Sequence, residues 1–449
     1  MSTHRRTLTT AIAVVGMAAA LVAGCGDDDD SGDSASQSGT STAAAGSDSV
    51  KGNVAVVGVW TGDEQKSFQA VLDAFEERYP NVKVKYTAGG DNTPTVLSTA
   101  VEGGNPPDVA AVAQPGLVKD FQRKKALKPI GFARATLVQQ YPDDIVKLGT
   151  IQKDIYSYVF KAANKSTVWF NVPTFETAGV QPPKDWDGFL ENAKTIQASG
   201  TPAYSIGGAD GWTLTDLFEN IYLRQAGPEK YDQLTTHDIP WTDPSVKQAL
   251  TTMGDVLGDT KNIKGGTSGA LETEFPSSVE AVFSDPAKAA QVIEGDFVPG
   301  VVAEQNKLEP KTGYDVFPFP AINDSTNAVV GGGDSIIMFK DTPASQALVG
   351  FLATKEAHEV WAKRGGFSSA NKDVDPSVYP DDITRTTATA IAKADPFRFD
   401  MSDLAPVDFG GTPGQGEWKI LQDFLENPDD VDGTASKLEA SAKKAYGAQ

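Results

Sequence analysis

Aromatic side chains and hydrogen-bonding side chains occur together near the predicted ends of buried strands. The aromatic candidates for a binding site are Trp60, Phe160, Trp212 and Phe297. The polar candidates are Asp63, Glu64, Gln114, Asn164, Lys165, Asp210, Asp334 and Arg364. Aromatic faces pack against CH groups, whereas carboxylates, amides and cations form hydrogen bonds with hydroxyls. These residue types therefore predict a site for a neutral, hydroxyl-rich small molecule such as a sugar.

Each of these candidates also has a purely structural interpretation. An aromatic side chain at a strand end is more often part of the core than of a binding surface, and Asp63 and Lys165 could simply be exposed charges. Gly332 and Gly333 are candidates beside Asp334. A bend of the strand would explain the same glycines, and both roles can hold together.

Signals of catalysis and of metal binding are mostly absent from the sequence. His358 and Glu359 begin like a zinc-protease helix, but Ala362 occupies the position of the second ligand. Neither a G-x-S-x-G motif nor a Gly-Lys pair for phosphate binding occurs. We therefore predict no enzyme, no cofactor and no metal. A secreted glycan-acting hydrolase stays an open alternative, because any two of the 60 acidic residues could meet in a cleft.

The amino terminus has the pattern of a secreted lipoprotein. Arg5 and Arg6 precede an apolar stretch over residues 11–23, which is too short to span a bilayer. This predicts a signal peptide over residues 1–24. Cys25, the single cysteine, follows small residues and would carry the lipid, palmitate included, that anchors the chain to the cell membrane. Residues 25–52 are rich in Asp, Ser, Gly, Thr and Ala and predict a disordered tether.

The remaining chain, residues 53–449, is too long for a single ordinary core and predicts two lobes. The net charge of the whole chain is −21, and it falls to −23 when the predicted signal peptide, with its two arginines, is removed. Such an acidic protein is not expected to bind nucleic acid. We expect a monomer outside the cytoplasm.

Strand and helix patterns alternate at the start of this region. Strands are predicted over residues 54–60 and 82–86, a helix over 63–79, and a third strand from residue 106. Repeated βα units predict an α/β fold with mostly parallel sheets flanked by helices. Ligands in such sheets bind beyond the carboxyl ends of the strands. Further strand segments are predicted over residues 167–170, 204–208, 281–283, 294–297, 314–320 and 327–339.

The stretch 158–190 carries the chain from one predicted lobe to the other. It contains a strand, an Asn-Val-Pro turn, a short helix, a Pro-Pro pair and a second helix that begins after Asp185. This order resembles the extracellular solute-binding proteins of ABC importers, specifically the carbohydrate-binding family that includes maltose-binding protein. The matching residues are Trp169, Phe170, Asn171, Ala178, Gly179, Pro182, Pro183 and Trp186. The sequence departs at Gly188, where the family usually has a carboxylate.

The resemblance covers residues 53–449 and implies a two-lobed fold with the ligand cleft between the lobes. It assigns residues 53–161 with 331–372 to the first lobe and residues 162–330 with 373–449 to the second. It implies that a sugar is captured by hinge closure at residues 161–165, 330–333 and 371–375 and is then delivered to an ABC permease. Three segments, 227–231, 239–244 and 399–404, are similar to the branch that binds α-glucosides or oligosaccharides. A peptide or an amino acid is the alternative ligand.

Overall fold

The computed structural model describes residues 47–305, 308–325, 327–391, 394 and 396–447. The predicted signal peptide and Cys25 lie outside the described residues. The end of the predicted tether is described, and it is ordered: Ser47–Ser49 form a 3-10 turn, and the side chain of Val50 is only 8 % exposed. The compact unit therefore begins a few residues before the tether was predicted to end.

The described chain contains twelve strands. They are β1 (Gly52–Gly58), β2 (Val82–Ala88), β3 (Val109–Val112), β4 (Thr150–Ile151), β5 (Asp154–Ile155), β6 (Ser157–Asn164), β7 (Thr167–Asn171), β8 (Gln291–Ile293), β9 (Tyr314–Pro318), β10 (Val329–Met338), β11 (Ser368–Ser369) and β12 (Phe397–Phe399). A seven-stranded sheet has the order β11-β6-β10-β3-β1-β2, with β12 beside β10, and a three-stranded sheet has the order β8-β7-β9. We call the parts built around these two sheets the first lobe and the second lobe.

Helices surround both sheets. The helices that precede β10 in the chain are α1 (Gly62–Arg78), α2 (Thr93–Glu102), α3 (Pro115–Arg123), α4 (Arg134–Gln140), α5 (Asp143–Leu148), α6 (Val172–Ala178), α7 (Trp186–Ala198), α8 (Trp212–Thr235), α9 (Pro244–Leu257), α10 (Gly266–Leu271), α11 (Phe275–Phe283) and α12 (Val298–Gln305). Those that follow are α13 (Pro343–Leu352), α14 (Lys355–Ala362), α15 (Asp382–Ala390), α16 (Met401–Leu404), α17 (Val407–Gly410), α18 (Gly416–Glu426) and α19 (Val431–Tyr446). The predicted α/β class is thereby confirmed.

The prediction of mostly parallel sheets is right for one part of the molecule and wrong for another. β1 pairs in parallel with β2 and β3, as the βα units predict, but in the same sheet β10 runs antiparallel to β3 and β6, so this sheet is mixed. In the second lobe, β7 pairs antiparallel with β8 and with β9. The reason is connectivity: these strands come from distant parts of the chain and are not joined by successive βα crossovers, which are what force parallel pairing.

The predicted strand–turn–helix order at the crossing is confirmed, and its local chemistry explains it. The Asn171 side chain accepts a hydrogen bond from the Thr174 N–H and caps α6, which ends at Gly179 with a left-handed φ of 71°. The Asp185 side chain accepts from the Gly188 N–H at the start of α7. The helix therefore begins with a side-chain cap even though Gly188 cannot return the second bond of a capping box.

Three of the predicted strand segments in the second lobe are wrong. Residues 294–297 form a loop that follows β8, which ends at Ile293. Residues 281–283 form the last turn of α11, and in the segment 204–208 only Tyr204 makes isolated bridges. Short apolar runs fit a buried helix as well as a buried strand, so periodicity alone could not separate them. The segment 371–375 was predicted to form a third hinge strand, but it contains no strand. The strand that pairs in parallel with β10 beside the crossing is β12.

Two large apolar cores lie on either side of β6 and β10, the strands in which the chain crosses between the lobes. The core of the first lobe includes Phe68, Phe160 and Trp361, and the core of the second includes Phe218 and Trp241. Tyr379 packs with the core of the first lobe, although residues from 373 onward were predicted to belong to the second. β6 and β10 pair antiparallel where the chain passes between the cores, so both crossings share one ladder.

Candidate functional site

A cavity of about 480 Å³ is lined by residues of both lobes. Its size falls within the range of small-molecule sites. The first lobe contributes the loops after β1, β2 and β3, and the second contributes the starts of α8 and α11 and the loop before α12. The cavity therefore lies beyond the carboxyl ends of the parallel strands, where the sequence predicts the ligand.

Nine of the predicted site residues line this cavity. They are Trp60, Glu64, Gln114, Lys165, Asp210, Trp212, Phe297, Gly333 and Asp334. Asp63 and Arg364 instead line a second, neighbouring crevice that Glu64 shares. The remaining three predicted residues, Phe160, Asn164 and Gly332, line neither space.

These last three residues support the site from behind. Phe160 is fully buried in the core of the first lobe. The backbone N–H of Asn164 donates to Asp296, and the Asn164 side chain accepts from the Ser166 N–H. A Cβ on Gly332 would come within 2.9 Å of the Lys165 side chain, so glycine leaves room for that lysine.

Three aromatic rings of the second lobe form one wall of the cavity. Trp212 lies 5.3 Å from Phe275 and 6.0 Å from Phe297, measured between ring centroids, and Phe275 lies 5.2 Å from Phe297. All three rings are half-buried and line the cavity. We call them the aromatic wall. It offers apolar faces to the CH groups of a ligand.

Trp60 has a different role from that of an open stacking surface. Its side chain is 1 % exposed and packs against Phe68 and Trp361. The indole N–H donates to an Asp334 carboxylate oxygen over 2.6 Å. Trp60 therefore fixes the orientation of Asp334 at the cavity surface.

The two lysines of the cavity are both buried and both paired. Lys161 Nζ lies 2.7 Å from Glu64 Oε1. Burial alone would lower the pKa of Lys161, but Glu64 and Asp334 raise it above the ordinary value. Lys165 Nζ contacts carboxylates of α8 and of the segment at the start of α16. Neither ammonium group lacks a counter-charge.

Lys165 lines the cavity and is the centre of a buried ion cluster. Its Nζ lies 3.0 Å from Asp216 Oδ1 of α8 and 3.6 Å from Asp403 Oδ2 of α16, and it donates to Asp400. Burial raises the pKa of Asp216 to about 8. Burial would also raise the pKa of Asp400, but Lys165 and neighbouring hydrogen bonds hold it below the ordinary value. The cluster joins the crossing to the second lobe.

Asp91 and Asp210 face the cavity from opposite lobes. Asp91 belongs to the turn after β2, and Asp210 precedes α8. The Asp91 side chain keeps contact with solvent, but its partial burial by the cavity walls and then repulsion by Asp210 raise its pKa to about 7, against an interaction with Trp212. Burial raises the pKa of Asp210 to about 6, although the Phe275 N–H donates to it. Both carboxylates are thus placed where an added hydrogen-bond donor would stabilise them.

Sequence reasoning missed several residues of the cavity. They are Asp91, Lys161, Glu274, Phe275, Asp403 and Trp418. A signal existed for Asp91, because it follows a predicted parallel strand just as Trp60 does. Glu274 precedes α11 and Phe275 begins it, but the end of this helix was predicted as a strand, which hid their position at a helix start.

The part of the chain that the structure describes shows no group of three or more His, Cys, Asp or Glu side chains arranged to hold a metal ion. Within the same residues, no helix is both long enough and apolar enough to cross a bilayer.

The fold has two lobes with a cavity between them, as expected for a solute-binding protein. The chain belongs to the family of bacterial extracellular solute-binding proteins, whose profile matches residues 58–359. The family resemblance seen in the sequence is thereby confirmed.

Two relatives are similar over most of the chain. The osmoprotective compounds-binding protein GgtB of Synechocystis sp. is 33 % identical over 384 residues, which cover 84 % of this chain and 89 % of that protein. The alpha-glucosides-binding periplasmic protein AglE of Rhizobium meliloti is 31 % identical over 399 residues, 86 % of each chain.

Solved structures share the fold at lower identity. The bacterial solute receptor AcbH has a TM-score of 0.77 with 20 % identity and covers 88 % of this chain and 100 % of its own. A chitin oligosaccharide binding protein has a TM-score of 0.76 with 18 % identity and covers 88 % of this chain and 99 % of its own. Three of these four proteins are described as binding proteins, and AcbH is described as a solute receptor.

Proposed function

We propose that this protein captures a sugar, a glucoside or an oligosaccharide, in the cavity between its lobes and delivers it to an ABC importer. The observation that carries the proposal is the aromatic wall, which faces carboxylates and the Gln114 amide across one cavity of about 480 Å³. A sugar ring has CH faces for the wall and hydroxyls for the polar groups. The two lobes each supply part of this chemistry.

The closure of the two lobes around a ligand fits this arrangement. Asp91 and Gln114 come from the first lobe, and Asp210 and Trp212 from the second. A ligand that bonds to both sides stabilises the form in which the lobes are together, and a permease can recognise that form. The paired strands β6 and β10 are the connection that such a motion would bend.

The names of two relatives support a glucoside as the proposed ligand. One is named for osmoprotective compounds and another for alpha-glucosides, each more than 30 % identical over most of the chain. The three segments similar to the α-glucoside branch agree with the second name. We therefore place glucosides first among the ligands to test.

A thermal-shift screen of the purified protein tests this proposal. The panel contains mono-, di- and oligosaccharides, amino acids and short peptides, because a ligand selective for the folded state raises the Tm. We expect a rise of several degrees with glucosides and recovery of the sugar chemically unchanged. A rise with a peptide or an amino acid alone would overturn the sugar assignment, and cleavage of the sugar would indicate a hydrolase.

Lipid anchoring is part of the proposal and rests on the sequence around Cys25. We predict that Cys25→Ser releases the protein from the membrane fraction into the medium, because serine has no thiol to acylate and the tether alone binds no membrane. Cell fractionation and immunoblotting measure this. Ser31→Ala in the same tether is the control and should stay with the membrane. Retention of the Cys25→Ser protein would contradict lipidation.

A further inference from the structure

The start of α3 lies against the segment that follows β12, and the two belong to different lobes. Leu117 of α3 packs in an apolar cluster with Val112 of β3, in the first lobe. Ala405, at the end of α16, belongs to the core of the second lobe. Gly116 and Ala405 are both buried, and they face each other. Their contact is therefore a contact between the lobes.

Gly116 has no side chain at a point where its own helix would accept one. It is the second residue of α3, and its φ is not in the left-handed region, so the backbone does not require glycine. A Cβ on Gly116 would overlap the backbone carbonyl oxygen of Ala405 and come within 3.3 Å of that of Leu404. A backbone oxygen cannot rotate away as a side chain can. Glycine at this position is thus explained by the close approach of the two lobes.

The segment after α17 makes a second close contact with the first lobe. A Cβ on Gly411 would come within 3.0 Å of the Gln114 side chain. That side chain is 6 % exposed, and its Oε1 has no hydrogen-bond partner in the described part of the chain. Covering an acceptor without pairing it costs free energy, and water can pair it when the lobes separate. We call the contact of Gln114 and Gly116 with Ala405 and Gly411 the interlobe seam.

The interlobe seam borders the cavity. Gln114 and Asp403 line the cavity, and they are two residues away from Gly116 and Ala405 in the chain. Gly116, Ala405 and Gly411 do not belong to the cavity lining. A substitution at one of these three positions therefore changes how closely the lobes approach without removing a group that faces the ligand.

We propose that the interlobe seam forms when the lobes close and separates when they open, and that Gly116 is the residue that permits full closure. The inference rests on the proposed function, because it assigns a positioning residue to the closing of the lobes around the sugar. A side chain on Gly116 holds the lobes apart. The apparent Kd then rises in proportion to the lost population of the closed form.

Three glycine-to-alanine variants test the proposal through the size of the overlap that each one creates. Gly116→Ala places a Cβ against a backbone oxygen, and Gly411→Ala places one 3.0 Å from a flexible side chain. Gly300→Ala is the matched control. Gly300 of α12 faces Gly366 of the first lobe, but its Cβ would lie 3.8 Å from the Gly366 Cα, an ordinary van der Waals distance.

The affinities of the purified proteins for maltose and methyl α-glucoside are measured by titration calorimetry. We expect the Kd to rise about tenfold or more in Gly116→Ala, about threefold in Gly411→Ala and less than about twofold in Gly300→Ala. Small-angle X-ray scattering should show that saturating sugar compacts the parent protein and Gly300→Ala but not Gly116→Ala. The Tm without sugar should stay close to that of the parent, because the open form has room for the methyl group and alanine favours the helix.

The outcomes separate this inference from the function on which it rests. Unchanged affinity and compaction in all three variants would overturn the role of the seam and leave sugar binding standing. A fall in the Tm of Gly116→Ala without sugar, at an unchanged Kd, would also overturn it, because the seam would then be a permanent part of the fold. Should Gly116→Ala fail to fold, the Kd of Gly411→Ala against that of Gly300→Ala decides the question. If neither sugar binds the parent protein, the inference and the proposed function fall together.

Discussion

Replacing Lys165 with methionine is expected to destabilise the protein by about 3–5 kcal/mol, the cost of removing one partner from a buried ion pair. Lys165 is the cation at the centre of the cluster formed with Asp216, Asp400 and Asp403. The side chains of these aspartates are between 0 and 8 % exposed. Methionine keeps most of the volume but leaves the carboxylates in the interior without their counter-charge. Urea unfolding followed by tryptophan fluorescence measures the loss.

The effect of this substitution should depend on pH in a defined direction. Without Lys165 the buried aspartates must bind protons in the native state, whereas in the unfolded chain they ionise near pH 4. The native state then binds more protons than the unfolded state above that pH. The variant should therefore lose stability, relative to the parent protein, as the pH rises from about 4 to 7.

A surface lysine provides the control for Lys165→Met. Lys83 Nζ lies 2.7 Å from Glu76, but its side chain is 68 % exposed. Lys83→Met should change the free energy of unfolding by less than about 1 kcal/mol. If Lys165→Met costs no more than Lys83→Met, or if its cost does not vary with pH, then the cluster does not stabilise the fold in the way proposed.

The sequence predicted those parts of the fold that depend on local patterns. The βα units of the first lobe and the Asp185 cap are encoded by neighbouring residues, and the structure confirms them. The pairing of β7 with β8 and β9 depends on segments more than a hundred residues apart in the chain, so no local pattern reveals that it is antiparallel. The same limit applies to Tyr379, whose lobe is decided by packing.

The sequence predicted the types of residue at the candidate site better than it predicted the position of each side chain. Strand ends identified Glu64 and Gln114 because parallel strands bring their carboxyl ends to one edge. Asp210 also lines the cavity, although the strand predicted before it is not present. The sequence could not separate Trp212, which is half-buried at the cavity, from Trp60, which is buried beneath it. Both follow the same type of pattern, and only the packing of Phe68 and Trp361 over Trp60 distinguishes them.

Trp212→Ala is expected to weaken binding of the cognate sugar by about 2 kcal/mol or more, which is roughly a thirtyfold rise in Kd. Trp212 begins α8 and joins Phe275 to Phe297, with centroid separations of 5.3 and 6.0 Å, so its loss removes one ring and loosens the other two. It also removes the interaction of the Trp212 side chain with Asp91 that lowers the pKa of this carboxylate. Titration calorimetry with the saccharide of highest affinity measures the change.

A tryptophan of the same lobe outside the cavity distinguishes lost recognition from lost stability. Trp186 stacks on Phe319 at 5.8 Å in the core of the second lobe and does not line the cavity. We expect Trp186→Ala to lower the Tm more than Trp212→Ala does, because it empties a buried position, and to leave the Kd of the folded protein within about threefold of the parent. Equal losses of affinity in the two variants would show that Trp212 acts through the fold of the lobe. A loss confined to Trp212→Ala would assign recognition to the aromatic wall.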